Sequence, residues 1–129
     1  MSNNYRDVFD FHTKFDLPCP ERPRTLNADE FNFRLDFLYE EVNEFAQAFL
    51  DRDLPKQADA LIDLVYVAMG TAVMMGLPWQ ALWDEVQRAN MEKKRATDAS
   101  QSSRGSTLDV IKPPGWTPPA IESILKFYS

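Results

Sequence analysis

At 129 residues the chain is the size of one domain and long enough to bury a hydrophobic core without disulfides or a structural metal. Its 14 Lys and Arg against 20 Asp and Glu give a formal charge of -6, which excludes a broad phosphate-tracking surface and hence a nucleic-acid partner. A single cysteine, Cys19, excludes an internal disulfide, and the N-terminus lacks the basic, apolar, small-residue order of a secretory signal, so a cytoplasmic protein is expected.

In chain order, Tyr5, Val8, Phe9, Phe11 and Phe15 recur mostly at spacings of three and four and predict a short amphipathic helix, with His12 next to the stripe. Pro18, Pro20 and Pro23 make Leu17 to Arg24 a loop. Asn27 followed by Glu30 is a capping-box variant that opens a helix running to about Asp51. Its stripe of Leu35, Leu38, Val42, Phe45 and Phe49 is expected to face a partner helix. Pro55 opens a third helix, closed by Gly76 and Pro78. The apolar run Leu64 to Leu77 falls short of the roughly 20 residues a membrane span needs, and extending it backwards meets Asp63 and Asp59, so a buried helix and no membrane partner are expected.

Trp79 to about Arg95 reads as a fourth helix, and TDASQSSRGST, Thr97 to Thr107, as a mobile polar loop. The only candidate strand lies near Leu108 to Ile111, KPPGWTPP from Lys112 to Pro119 is extended, and Ala120 to Tyr128 forms a short helical tail. The expected fold is all-α: one domain over residues 1–129, an antiparallel bundle of about four main helices. The second and third helices are apolar on more sides than a four-helix monomer buries, which predicts completion by a homodimer or homotetramer.

Five carboxylates interrupt this pattern. Glu40, Glu41 and Glu44 share a face of the second helix away from its apolar stripe, and Asp59 and Asp63 stand one turn apart in the apolar third helix. Buried and unpaired they would cost roughly several kcal/mol each, and Arg34, Arg52 and Lys56 are the only cations from Phe31 to Gly76. A hard divalent cation such as Mg²⁺ compensates carboxylates and still leaves positions for water and substrate phosphates. Glu41, Glu44, Asp59 and Asp63 are the candidate ligands. A solvated face is the plainer reading for Glu40 alone. A di-iron bundle would require Glu-x-x-His pairs, and His12, the one histidine, lies outside these helices.

Glu41-x-x-Glu44 followed by Asp59-x-x-x-Asp63 resembles the all-α nucleoside triphosphate pyrophosphohydrolases, the MazG-like and phosphoribosyl-ATP pyrophosphohydrolase-like group. FHTKF, EEVNEF, ADALIDLVYVAMGTAVMMG, EVQRANMEKK and VIKPPGWTPPAI look like successive blocks of one branch of it. The usual second half of the motif is Glu-x-x-Asp, whereas Ala60 stands three before Asp63 here, so Asp59 or Glu40 would complete the shell. The resemblance implies Mg²⁺-dependent hydrolysis, with Mn²⁺ able to substitute, of a nucleoside triphosphate between its α and β phosphorus atoms. Glu40 or Glu41 would take the proton of the attacking water.

It further implies phosphate contacts from Asn90 and Lys93, with Lys94 and Arg95 behind them and Lys112 approaching from the tail. Lys94 and Arg95 have as their alternative a basic helix C-terminus that favours the dipole. Phe33, Phe37, Trp79 and Trp83 would enclose the base, core packing being the alternative, and His12 would pack near the site. dGTP or GTP is the first substrate guess, dUTP or dCTP the second. Outside this class, a non-enzymatic helical interaction module with an acidic cation site explains the same carboxylates.

Overall fold

The computed structural model describes residues 3–129, and its helix starts follow from side chains that satisfy otherwise orphaned backbone N–H groups. Helix α1 (Asn4–Lys14) begins where Asn3 accepts from the Arg6 N–H. Helix α2 (Ala28–Leu50) begins on the full capping box of Asn27 and Glu30. Helix α3 (Leu54–Met74) begins where Asp53 accepts from the Lys56 N–H, with Pro55 in its first turn. Caps of this kind contribute about 1 kcal/mol each.

The same three helices end alike, each with a residue at positive φ and an N–H reaching back five residues. Leu17 donates to the His12 carbonyl, Asp53 to Ala48 and Leu77 to Ala72. The left-handed residue is Asp16, Arg52 and Gly76 in turn, with φ of 55°, 53° and 62°. Only the third position demands glycine outright, because a Cβ on Gly76 would collide with the carbonyl oxygens of Arg22 and Pro20. The proline loop folds back there, and Arg24 donates its N–H to the Met75 carbonyl at 2.9 Å.

The chain divides into two compact units, one running to Leu77 and the other Pro78–Tyr128. In the first, α2 and α3 form an antiparallel hairpin and α1 packs on α3. The buried residues of α2 are Arg34, Glu41 and Ala48, seven apart, and Ala60, Val67 and Met74 repeat that interval on α3. The seam therefore lies about 80° around α2 from the stripe read off the sequence. Leu35, Leu38 and Phe45 are half-buried beside it, whereas Val42 and Phe49 are 45% and 67% exposed. Leu61 and Val65 of α3 are likewise exposed.

At 21 residues α3 is long and apolar enough to cross a membrane by length and composition, a test that a core helix also passes. Its Ala60, Val67 and Val73 pack inward, and Asp59 and Asp63 sit within it.

In the second unit α4 (Trp79–Met91) stops about a turn before Arg95. Lys94–Arg95 instead form β1, paired antiparallel with β2 (Val110–Ile111), which corrects the helical reading of those two basic residues. The segment expected to be a mobile loop has local order: a 3₁₀ turn at Ala99–Gln101 capped by Asp98, and Asp109 accepting from Ser102 at 2.7 Å and from Arg104 at 2.9 Å. The Pro-rich tail is irregular, as its sequence demands. It is tied down by Trp116 Nε1 donating to the Ala89 carbonyl at 2.7 Å and by Arg88 reaching Thr117 and Pro118. Helix α5 (Ile121–Phe127) packs on α4. Among the described residues the architecture is all-α apart from the two short strands.

Candidate metal centre

The acidic residues meet because of where the seam lies. With Glu41 in the seam, Glu44 is turned about 60° to one side of it, and on the antiparallel partner Asp63 is offset from Ala60 by the same angle toward the same side. Each contributes one carboxylate oxygen to a set within 4.8 Å of one another. That spread is close to the span of about 4.2 Å between opposite oxygens around a cation with 2.1 Å bonds.

Glu41 is 6% exposed, and its Oε2 is closed off from solvent with no hydrogen-bond partner. Burial pushes its carboxyl up to about 7, and the charges of Glu44, Asp63 and Glu40 add to the effect. Asp63 is raised as well, by burial first and then by Asp59 and Glu44. Like charges are thus drawn together in a partly desolvated place, with a buried oxygen left unsatisfied. A divalent cation removes both penalties, and an all-oxygen donor set of this hardness suits Mg²⁺ or Mn²⁺ over softer metals. These residues fit the group the sequence implied.

Asp59 lies outside the three-residue set but adjoins Asp63, whose carboxyl it raises through charge and hydrogen bonding. Glu40 is exposed next to Glu41. A cavity of about 350 Å³ opens from the cluster toward the α2–α3 turn, floored by Ala48 and Ala60 and walled by Glu44, Gln47, Asp51, Lys56 and Asp59.

On the other side of the cluster, toward α1, lies a buried cation. Arg34 is 7% exposed, donates Nε to Thr71 Oγ1 at 3.0 Å and Nη2 to the Val67 carbonyl at 2.8 Å, and stands 5.6 Å from the Phe37 ring centre. Gly70 makes room for it: a Cβ there would sit 2.6 Å from Arg34 Nη2 and 2.8 Å from His12 Nε2. His12 is buried, as expected of a packed histidine, although its Nδ1 lacks a hydrogen-bond partner of good geometry. Burial and the Arg34 charge hold its pKa below the ordinary imidazole value, with the Pro18 backbone pulling the other way. Phe33 packs edge-on against Phe37 at 6.0 Å, and Phe11 against Tyr66 at 5.5 Å.

Asn90, Lys93, Lys94 and Lys112 all belong to the second unit. Asn90 and Lys94 are exposed. Lys93 and Lys112 converge on one ring, their ammonium nitrogens 5.3 and 5.0 Å from the Trp116 centroid, while Arg95 donates to the Thr107 carbonyl. Trp79 and Trp83 stack at 6.0 Å.

The sequence reading counted Arg34 and Lys56 among the few cations near the acids but gave neither a role. The heptad Arg34, Glu41, Ala48 was the available signal for the first, and Ala48 opposite Ala60 for the cavity that holds the second.

None of the curated proteins compared with the chain matches it. The family model described as phosphoribosyl-ATP pyrophosphohydrolase matches residues 8–90, a span that contains every acidic residue of the cluster. The chain belongs to the phosphoribosyl-ATP pyrophosphohydrolase family, and hydrolysis of a phosphoanhydride is the class of activity that membership carries.

Proposed function

We propose that the protein is a Mg²⁺-dependent nucleoside triphosphate pyrophosphohydrolase that releases a nucleoside monophosphate and pyrophosphate. The observation that carries the reading is Glu41, buried with one unpartnered oxygen and clustered with Glu44 and Asp63. In this reading Glu41, Glu44 and Asp63 hold the cation, and Asp59 extends the shell. A bound divalent cation supplies positive charge to the phosphate oxygens and makes water easier to deprotonate. Glu40, exposed beside the cluster, takes a proton from the water that attacks the α-phosphorus. The bond from that phosphorus to the α–β bridging oxygen breaks, and pyrophosphate leaves with the bridging oxygen. Phe37 and His12 take the nucleoside side of the site, and the resemblance to the family assigns Asn90, Lys93, Lys94 and Lys112 the role of further phosphate contacts.

The exposed Val42, Phe49, Leu61 and Val65 lie, by helix geometry, on the side of the hairpin away from the acids, and a second copy covering them makes a dimer or a dimer of dimers. The setting of the reaction is the cytoplasm. Among substrates dGTP and GTP come first, then dUTP and dCTP, with phosphoribosyl-ATP included because the matched family bears its name.

Pyrophosphate release measured across that panel with Mg²⁺ and with Mn²⁺ tests the reading. Turnover of at least one triphosphate that chelation abolishes is expected. Silence across the panel would leave a non-enzymatic cation-binding module.

A further inference from the structure

Helix α1 is fastened to α3 by few groups. Its buried side chains are Val8 and His12, one turn apart. The other ties lie at the rim: Tyr5 donates its hydroxyl to the Leu77 carbonyl at 3.4 Å, and the partly exposed Phe11 meets Tyr66 edge-on. One of the two buried anchors can take up a proton.

That anchor, His12, meets Arg34 of α2 over Gly70 of α3. A Cβ on Gly70 would stand 2.8 Å from His12 Nε2 and 2.6 Å from Arg34 Nη2, so the two nitrogens are at most the sum of those distances apart, 5.4 Å. Arg34 is committed to neutral oxygens, the Val67 carbonyl and the Thr71 hydroxyl. The other groups facing the imidazole are uncharged: Gly70 from α3 and the Pro18 backbone from the proline loop, whose Cys19 thiol acts on Tyr5 instead. Among the described residues no carboxylate pairs with the ring or with the guanidinium. An imidazolium here would be a second buried cation with no counter-ion, close to the first and shut off from water.

We propose that α1 is an acid-sensitive latch: a proton on His12 sets two cations against each other over Gly70, and α1 lifts from α3 while the α2–α3 hairpin stays folded. Lifting opens both groups to water, which removes the burial penalty and screens the repulsion. Geometry and titration agree in sign. Burial first, and then the Arg34 charge, hold the folded imidazole below its ordinary 6.5, against the opposing Pro18 backbone. The docked form thus binds a proton less readily than the open one, so docking is complete above about pH 6.5 and weakens as the pH falls below it. Two buried side chains are a small enough hold for α1 to open locally. Where the pyrophosphohydrolase reading holds, the open form loses His12 from the nucleoside side of the site; the latch itself does not depend on that reading.

The chain's single histidine makes the test direct. NMR of the intact protein from about pH 7.5 to about pH 5 reads the imidazole titration and, in the same samples, the amide protection of each helix corrected for intrinsic exchange. Protection of α1 is expected to fall about tenfold across that range in the wild type, while that of α2 and α3 does not fall. Glu41 also takes up a proton there, but its raised carboxyl makes the hairpin more stable as the pH drops, so it produces no fall. His12→Gln should remove the loss of protection, and Arg34→Met should raise the imidazole midpoint. Protection of α1 that stays constant in the wild type, that falls equally in α2 and α3, or that falls as far in His12→Gln would overturn the inference, as would a midpoint that Arg34→Met leaves in place. The wild-type titration decides the matter even where a variant fails to fold.

Discussion

Helix α2 carries two glutamates that its fold treats in opposite ways. Glu30, in the first turn, accepts from the two terminal nitrogens of the Arg24 guanidinium at 2.9 and 3.0 Å and from the Asn27 N–H at 3.0 Å, and these partners hold its carboxyl down to about 2. Glu41, three turns on, meets Glu44 and Asp63 instead, and its carboxyl is pushed up to about 7. One acid is satisfied by the protein that surrounds it. The other keeps a buried oxygen without a hydrogen-bond partner, in a set of acids that could hold a metal ion. The contrast separates an acid that holds structure from an acid that holds a ligand more sharply than sequence spacing does, because both residues stand on the same helix with similar neighbours in the chain.

The largest test of that contrast is on turnover. Glu41→Ala or Asp63→Ala should lower kcat/KM by about 10²- to 10³-fold, as expected when a group that places charge on the reacting phosphates is lost. Glu30→Ala should leave it nearly unchanged. Full activity in the Glu41→Ala, Asp63→Ala double variant would end the metal-centre reading.

Next in size is the effect of the cation on the fold. Mg²⁺ or Mn²⁺ at 100 times its dissociation constant should stabilise the wild type by about 2.7 kcal/mol, seen as a rise in Tm. Glu41→Gln removes one of the opposed charges, so its metal-free Tm should exceed that of the wild type while its response to the cation disappears. A mutant that still responds fully would place the cation elsewhere.

Arg34 sharpens the comparison from a third direction, being buried as Glu41 is and partnered as Glu30 is. Its partners are the neutral oxygens of Val67 and Thr71, and Gly70 supplies the space. Gly70→Ala should displace Arg34 and His12 and cost about 1–3 kcal/mol in chemical denaturation. An unchanged midpoint would mean that α1 and Arg34 shift without loss.

The parts of this arrangement that sequence made legible are those set by short-range geometry. Asn27 with Glu30 and Pro55 located the helix starts, and a period of 3.6 residues paired Glu41 with Glu44 on one helix and Asp59 with Asp63 on the next, of which Glu41, Glu44 and Asp63 come within 4.8 Å of one another. What sequence hid depends on contacts between distant residues. The seam passes through Arg34 and Glu41 instead of Val42 and Phe49 because Gly70 and the small Ala48 and Ala60 let polar side chains approach the partner helix. A hydrophobic stripe cannot reveal that. Lys94 and Arg95 followed a helical pattern in sequence, but their pairing with Ile111 and Val110 is decided 17 and 15 residues away, and two-residue strands carry too little periodicity to announce themselves.

The smallest expected effect concerns Glu30 and runs through pH. Its folded pKa is depressed from the ordinary 4.5 to about 2, so the folded state binds protons less readily than the unfolded chain does. The stability this glutamate contributes is therefore complete above about pH 4.5 and drains away as the pH falls toward about 2, when the Arg24 pairing is neutralised. Glu30→Gln should be less stable than the wild type at pH 7, and the two denaturation midpoints should converge as the pH approaches 2. Because Arg24 also anchors the proline loop to α3 through its own N–H to Met75, the variant should free that loop to faster amide exchange without altering cation binding. A gap between the two proteins that stayed constant down to about pH 2 would mean that Glu30 stabilises the fold by something other than its charge, and that it is not the charge-satisfied counterpart of Glu41.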